Sequence, residues 1–255
     1  MNLRLIGAPV PGRHHLLLLW LMLAGAAGAA IFAGIHTGVL QTLFNGDRSR
    51  ICWVITLMFV YVSLHCARRV LLVSTELNSA AQIEARVPEE SALRVNVTDG
   101  RVRVEDGDAL PDCLLTEYIR DLFRKGTPGR ATSAEGDPEL LDVYESRLKS
   151  PQEIGWFLAD VMIKLGLLGT IVGFVMMLGS VGAVTNFDAT TMQGVLRQMS
   201  SGMGTALYTT FVGLVCSILT TFQYYLLDQG ADELIRRTRH FAQVHVAPEA
   251  AATTA

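Results

Sequence analysis

The chain has 255 residues, of which 50% are hydrophobic and 18% charged, with a formal net charge of −3. So small a charge gives no footing for nucleic acid or a strongly acidic partner, and a composition this apolar points away from a soluble domain and toward a membrane protein. Its four cysteines, Cys52, Cys66, Cys113 and Cys216, have no CxxC or zinc spacing and read as buried thiols.

Apolar runs of roughly 20 residues or more cover the hydrocarbon thickness of a bilayer. Four are expected, at about 16–40, 51–73, 156–184 and 203–227. The first, LLLLWLML followed by AGAAGAA after Arg4 and Arg13, also fits a secretory signal with a small-residue cleavage site. Its apolar character continues through Ile31, Phe32, Ile35 and Val39, too far for a signal core, so a retained helix is expected. Gly25/Ala29 and Gly34/Gly38 are small-xxx-small pairs suited to close helix packing. The second span is the weakest, because Arg68 and Arg69 follow its uninterrupted run Ile51–Ala67.

The segment 75–150 reads as a cytoplasmic insert. Arg94–Thr98 and Arg101–Glu105 alternate around Asp99-Gly100, the pattern of a two-residue β-hairpin. Pro111–Lys125 reads as an amphipathic helix with Leu114, Leu115, Ile119 and Phe123 inward, Pro138–Lys149 as a second helix, and GTPGRATSAEGDP between them as a loop. The last two spans form a pair, 151–243, whose second helix continues beyond the membrane, and 244–255 reads as a disordered tail. With 1–74 as an N-terminal helix pair, the expected fold is an all-α integral membrane protein of four transmembrane helices with a small hairpin-containing insert between the second and third. Arg68, Arg69, Arg86, Lys164, Arg236, Arg237 and Arg239 flank one side of the spans, whereas the loop 185–202 holds only Arg197, so the insert and both termini are expected in the cytoplasm.

The last two spans carry polar and small residues that a plain anchor has no need for. Thr210, Gly213, Ser217, Thr221, Tyr224 and Asp228 recur every three or four residues and share one helical face, as do Gly166, Thr170, Gly173, Met177 and Ser180. A hydroxyl both donates and accepts, so it can hold water or a proton-carrying carboxylic acid without itself bearing charge. Equally, a threonine in a membrane helix often bonds only its own i−4 carbonyl. No cluster of serine, histidine and acid suggests a nucleophile, and no glycine-rich loop suggests a nucleotide. An enzyme is not expected, nor a cofactor or metal.

GLLGTIVGF at 166–174, a short outer loop and GMGTALYTTFVGL at 202–214 resemble the paired signature of the MotA/TolQ/ExbB proton-channel family. The layout of two helices, an insert and two helices is closer to MotA than to the three-span TolQ and ExbB. The resemblance implies a homopentamer around a dimeric MotB/TolR/ExbD-like single-span protein carrying a membrane Asp. Ion flow would then drive rotation or mechanical work. Thr170 and Thr210 take the places of the family threonines on the ion path, and Thr209, Ser217 and Thr221 extend it. Gly166, Gly169, Gly173, Gly202 and Gly213 would pack the helices. Thr205 stands where TolQ and ExbB relatives carry a glutamate, and the proline common before each motif is replaced by Lys164-Leu165 and Ser200-Ser201. No Asp or Glu lies in the core of any span, so a proton-carrying carboxylate must come from the partner. Hydroxyls alone leave sodium open as the ion.

Asp160 and Lys164 are an i,i+4 pair at the cytoplasmic mouth, either an ordinary surface pair or a gate, and Asp228 is either an exit acid or a solvated helix end. His36 and His65 are expected in interfacial packing. Arg68, Arg69, Arg120, Arg124 and Lys125 on or near the insert serve orientation and solubility or form a contact surface for a cytoplasmic partner. A non-conducting membrane scaffold is the alternative to a motor subunit.

Overall fold

The computed structural model describes residues 15–86, 94–96, 101–103, 111–125, 138–182 and 188–245. The elements in chain order are α1 (His15–His36), α2 (Val39–Gly46), α3 (Ile51–Arg86), β1 (Arg94–Asn96), β2 (Arg101–Arg103), α4 (Leu114–Lys125), α5 (Pro138–Gly182) and α6 (Ala189–His245). Four of these helices, α1, α3, α5 and α6, are long and apolar enough to cross a membrane. The fold class is all-α with four candidate membrane spans, as composition and periodicity predict.

The hairpin module does not amount to a domain. β1 and β2 pair antiparallel with Val95 opposite Val102, but each is three residues long. Their expected turn at Asp99-Gly100 lies outside the described residues, as do the loop 126–137, the outer loop near 185 and the tail after 245. The side chains of Phe123, Arg124, Lys125 and Ser180 are likewise outside them.

Three boundaries differ from the sequence expectation. The first span stops at His36 rather than continuing to about 40. Gly38 adopts φ 72°, a left-handed conformation natural to glycine, and its N–H donates to the Ile35 carbonyl, which closes α1 before the separate short helix α2 begins. The expected helix Pro138–Lys149 is not separate from the third span, because α5 runs through Pro151. Most of the expected outer loop 185–202 is helical, since α6 starts at Ala189. From Ala189 that segment contains no proline to stop a helix, and Met192, Gln193, Leu196, Arg197, Gln198 and Met199 are good helix formers.

The described residues fall into two compact units. One comprises 20–69 and 146–229, and holds the greater part of the apolar helical length. The other comprises 15–19, 230–245 and the described residues of 70–145. In this second unit α4 buries Leu115, Tyr118, Ile119 and Leu122, three or four residues apart on one helical face. Its first turn is capped from α3, where the Glu76 carboxylate accepts the Leu114 N–H at 2.8 Å. Tyr144 donates to the Asp121 carboxylate at 2.7 Å and stacks edge-on against Tyr118, which ties α5 to α4.

Candidate functional site: the α5–α6 helix pair

The two signature motifs face each other along α5 and α6. Gly166, Gly169 and Gly173 stand on one face of α5 at spacings of three and four. A Cβ built at Gly173 would lie 2.6 Å from the Gly202 carbonyl oxygen, and one at Gly213 would lie 2.9 Å from the Met162 carbonyl oxygen. A Cβ at Gly166 would meet the Thr209 backbone at 3.2 Å, and one at Gly169 would overlap the Thr209 side chain. The helices are therefore antiparallel and in backbone contact from Met162/Gly213 to Gly173/Gly202. In hydrocarbon, where apolar side chains gain nothing by leaving lipid, such backbone proximity is what holds helices together.

The hydroxyls occupy three different environments. Thr209 is fully buried in the notch left by Gly169, bonded to the Thr205 and Ala206 carbonyls, each at 3.0 Å. Thr210 is half-buried, 3.0 Å from the Ala206 carbonyl on its own helix and 3.3 Å from the Gly166 carbonyl across the pair. Thr170 donates to the Leu167 carbonyl at 2.5 Å and opens onto a groove of about 400 Å³ lined also by Ile171, Phe174, Met177, Met203 and Ala206. Ser217 is buried and Thr221 half-buried.

The periodic face Thr210–Asp228 is not an open surface. Gly213 lies against Gly166, Ser217 is buried, and Tyr224 is buried over Gly155 while its hydroxyl meets His65 Nδ1 of α3 at 2.9 Å. Most of that stripe therefore turns toward α5 and α3, and among the described hydroxyls only Thr170 lines the groove. His65 is thus a cross-helix partner, and His36 packs edge-on against Phe32. Asp160 and Lys164 form an exposed ion pair, and Asp228 is half-buried. Arg120 pairs with Asp112, and Arg69 bonds the Leu148 carbonyl.

Sequence reasoning missed the role of Thr205. Its side chain is fully buried, with Oγ1 3.1 Å from both the Ser201 and the Gly46 carbonyls and 3.5 Å from the Arg48 N–H. The position aligned with a family glutamate thus fastens the turn after α2 to α6. That turn is built on Asp47, whose carboxylate accepts the Ser49 N–H at 2.9 Å, the Ser49 hydroxyl at 2.6 Å and the Cys52 N–H at 2.8 Å, capping α3. Burial opposes ionisation, but the bonds from Ser49 and Cys52 outweigh it and hold the Asp47 carboxyl below its ordinary 3.8. The sequence signal was present in part, since aspartate and serine just before an apolar run are residues that favour helix starts.

Residues 138–240 match the model of the MotA/TolQ/ExbB proton channel family. It is this segment, less than half of the chain, that is similar to the family. The match covers α5 and most of α6 and leaves α1 to α4 outside it. No characterised protein and no solved structure matches the chain. The four long apolar helices and the match to a proton channel family together point to a multi-pass membrane protein. No group of three or more metal-ligating side chains occurs among the described residues.

Proposed function

We propose that the chain is the proton-conducting subunit of an inner-membrane motor or energy-transducing complex, assembled as a homopentamer around a dimeric single-span partner of the MotB/TolR/ExbD type that carries a membrane Asp. The observation that carries the reading is the groove beside the α5–α6 signature pair. Its wall is apolar except for the Thr170 hydroxyl, and Thr210 lies one turn beyond Ala206. A hydrophobic single-span helix fits such a wall, and a hydroxyl within it can exchange a hydrogen bond with a carboxylic acid on that helix. Thr209, by contrast, acts through packing in the Gly169 notch, and Ser217 and Thr221 stand farther along α6. Asp160, Lys164 and Asp228 form the cytoplasmic mouth in this reading, with the insert 75–150 and both termini in the cytoplasm by charge distribution.

A scaffold without conduction is favoured by one observation: Thr170, Thr209 and Thr210 each bond a carbonyl of their own helix, the arrangement expected of threonines serving only packing. Proton flux in proteoliposomes separates the two readings. The chain is co-expressed with the single-span product of a neighbouring gene, and wild type is compared with Thr170→Val and Thr210→Val. The channel reading expects flux that needs the partner and falls at least tenfold in Thr170→Val while the complex still assembles. Unchanged flux in both variants returns the threonines to packing, and no flux from a confirmed complex leaves the scaffold.

A further inference from the structure

Where α5 passes Pro151 three helices of one unit bring together polar groups that the fold leaves unmatched. Proline has no N–H, so Pro151 supplies no i→i−4 donor to the preceding turn of α5. At the Leu148 carbonyl in that turn, the Arg69 guanidinium of α3 donates through Nη2 at 2.7 Å. Arg69 Nε is buried and has no hydrogen-bond partner among the described residues, and no carboxylate there pairs with its charge. Gln152 follows Pro151 and is 2% exposed, and neither Nε2 nor Oε1 has a partner among the described residues. Exchanging the two ends of the amide cures nothing, because donor and acceptor are both unmatched.

The surroundings extend the cluster. Gln152 and Gly155 share a face of α5, and the Tyr224 ring of α6 packs so closely on Gly155 that a Cβ would overlap it. The Tyr224 hydroxyl meets His65 Nδ1, and His65 stands one turn before Arg69 on α3. A helical side chain leans toward its own N-terminus, which brings the Gln152 amide back over the turn carrying the Leu148 carbonyl.

We propose that this proline turn of α5 is a binding site for ordered water, held by Arg69, Gln152 and the Tyr224–His65 pair. Buried donors and acceptors that lack partners are costly, and an occupant matching them must itself both donate and accept. An ionised phosphate or carboxylate accepts from Arg69 Nε and Gln152 Nε2 but gives nothing to Gln152 Oε1. Water does both, and typically makes about three hydrogen bonds in such a site. The hydrated cluster fastens the proline turn of α5 to α3 and α6, and the inference stands whether or not the chain conducts ions.

Radiolytic hydroxyl labelling of the purified full chain in nanodiscs, in ¹⁸O water, tests it. Tyr224 and Tyr118 are 1% and 2% exposed, so equal burial predicts equal labelling unless water lies beside one of them. The proposal expects Tyr224 to label at least threefold faster than Tyr118 in the wild type, and to fall to the Tyr118 rate in Gln152→Leu. Tyr224 labelled no faster than Tyr118 in the wild type overturns the water site, with no variant needed. Labelling that persists in Gln152→Leu overturns the role of Gln152. Phospholipid or phosphate retained by an unlabelled wild type and released by Arg69→Met replaces water with an anion.

Discussion

The α5–α6 contact and the surroundings of α4 hold helices together by opposite means. At α4 large side chains are buried: Leu115, Tyr118 and Ile119 from the helix itself, with Tyr144 of α5 stacked against Tyr118. Along α5–α6 the contact is made where side chains are missing, with backbone against backbone at Gly166/Gly213 and Gly173/Gly202. Where water surrounds a helix, removing apolar area from it drives packing. Where lipid surrounds a helix, that drive vanishes and close approach takes its place. A deletion should therefore damage the first region and an addition the second.

The deletion has the larger expected effect. Leu115 is 1% exposed, and truncating it removes a branched side chain from a packed site, so Leu115→Ala is expected to cost about 2–5 kcal/mol. Chemical unfolding followed by tryptophan fluorescence and circular dichroism measures it. A cost below about 1 kcal/mol would mean that α4 is held by its Glu76 cap and the Tyr144–Asp121 bond rather than by burial.

The addition comes next. A Cβ at Gly173 would meet the Gly202 carbonyl, the Ala206 N–H and the Ala206 side chain at 2.6 to 2.8 Å, so Gly173→Val forces the helices apart at an expected cost of about 1–3 kcal/mol. Gly179, on the same helix, has open space around its Cβ position, and Gly179→Ala should be neutral or slightly stabilising through helix propensity. Thermal aggregation midpoints in detergent read both. Equal losses at Gly173 and Gly179 would show that close contact with α6 does not govern this surface.

The four spans were legible because apolar length is a local property of sequence, and so were the glycines and threonines of the signature, which fall at helical spacing. The orientation of the α6 stripe was not. Period alone aligns Thr210, Gly213, Ser217 and Tyr224 but does not say whether that face meets a neighbour inside the chain or outside it. Here Gly155 and His65 answer the question, one on α5 and the other on α3. Thr205 was read against the family glutamate and not against the turn at Gly46, because residues about 160 positions apart carry no local mark of their contact. Helix continuity through Pro151 was hidden for a related reason. Proline argues for a break, and the Arg69 donor that meets the neighbouring Leu148 carbonyl comes from α3.

The smallest expected effect compares two carboxylate caps, Asp47 on its own turn before α3 and Glu76 reaching α4 from another helix. Asp47→Ala removes the acceptor for the Ser49 and Cys52 N–H groups, an expected cost of about 0.5–2 kcal/mol. Its pH dependence has a definite sign. The folded carboxyl holds its proton less tightly than the ordinary value of 3.8, so acid favours the unfolded chain. The contribution of Asp47 is fully present above that ordinary value and is lost as pH falls through the lower folded value. The difference in unfolding midpoint between wild type and Asp47→Ala should therefore be constant from pH 7 to about 5 and shrink below 3.8. A difference that grows on acidification would mean that the carboxyl is protonated in the fold and donates, and the cap would then rest on Ser49 alone.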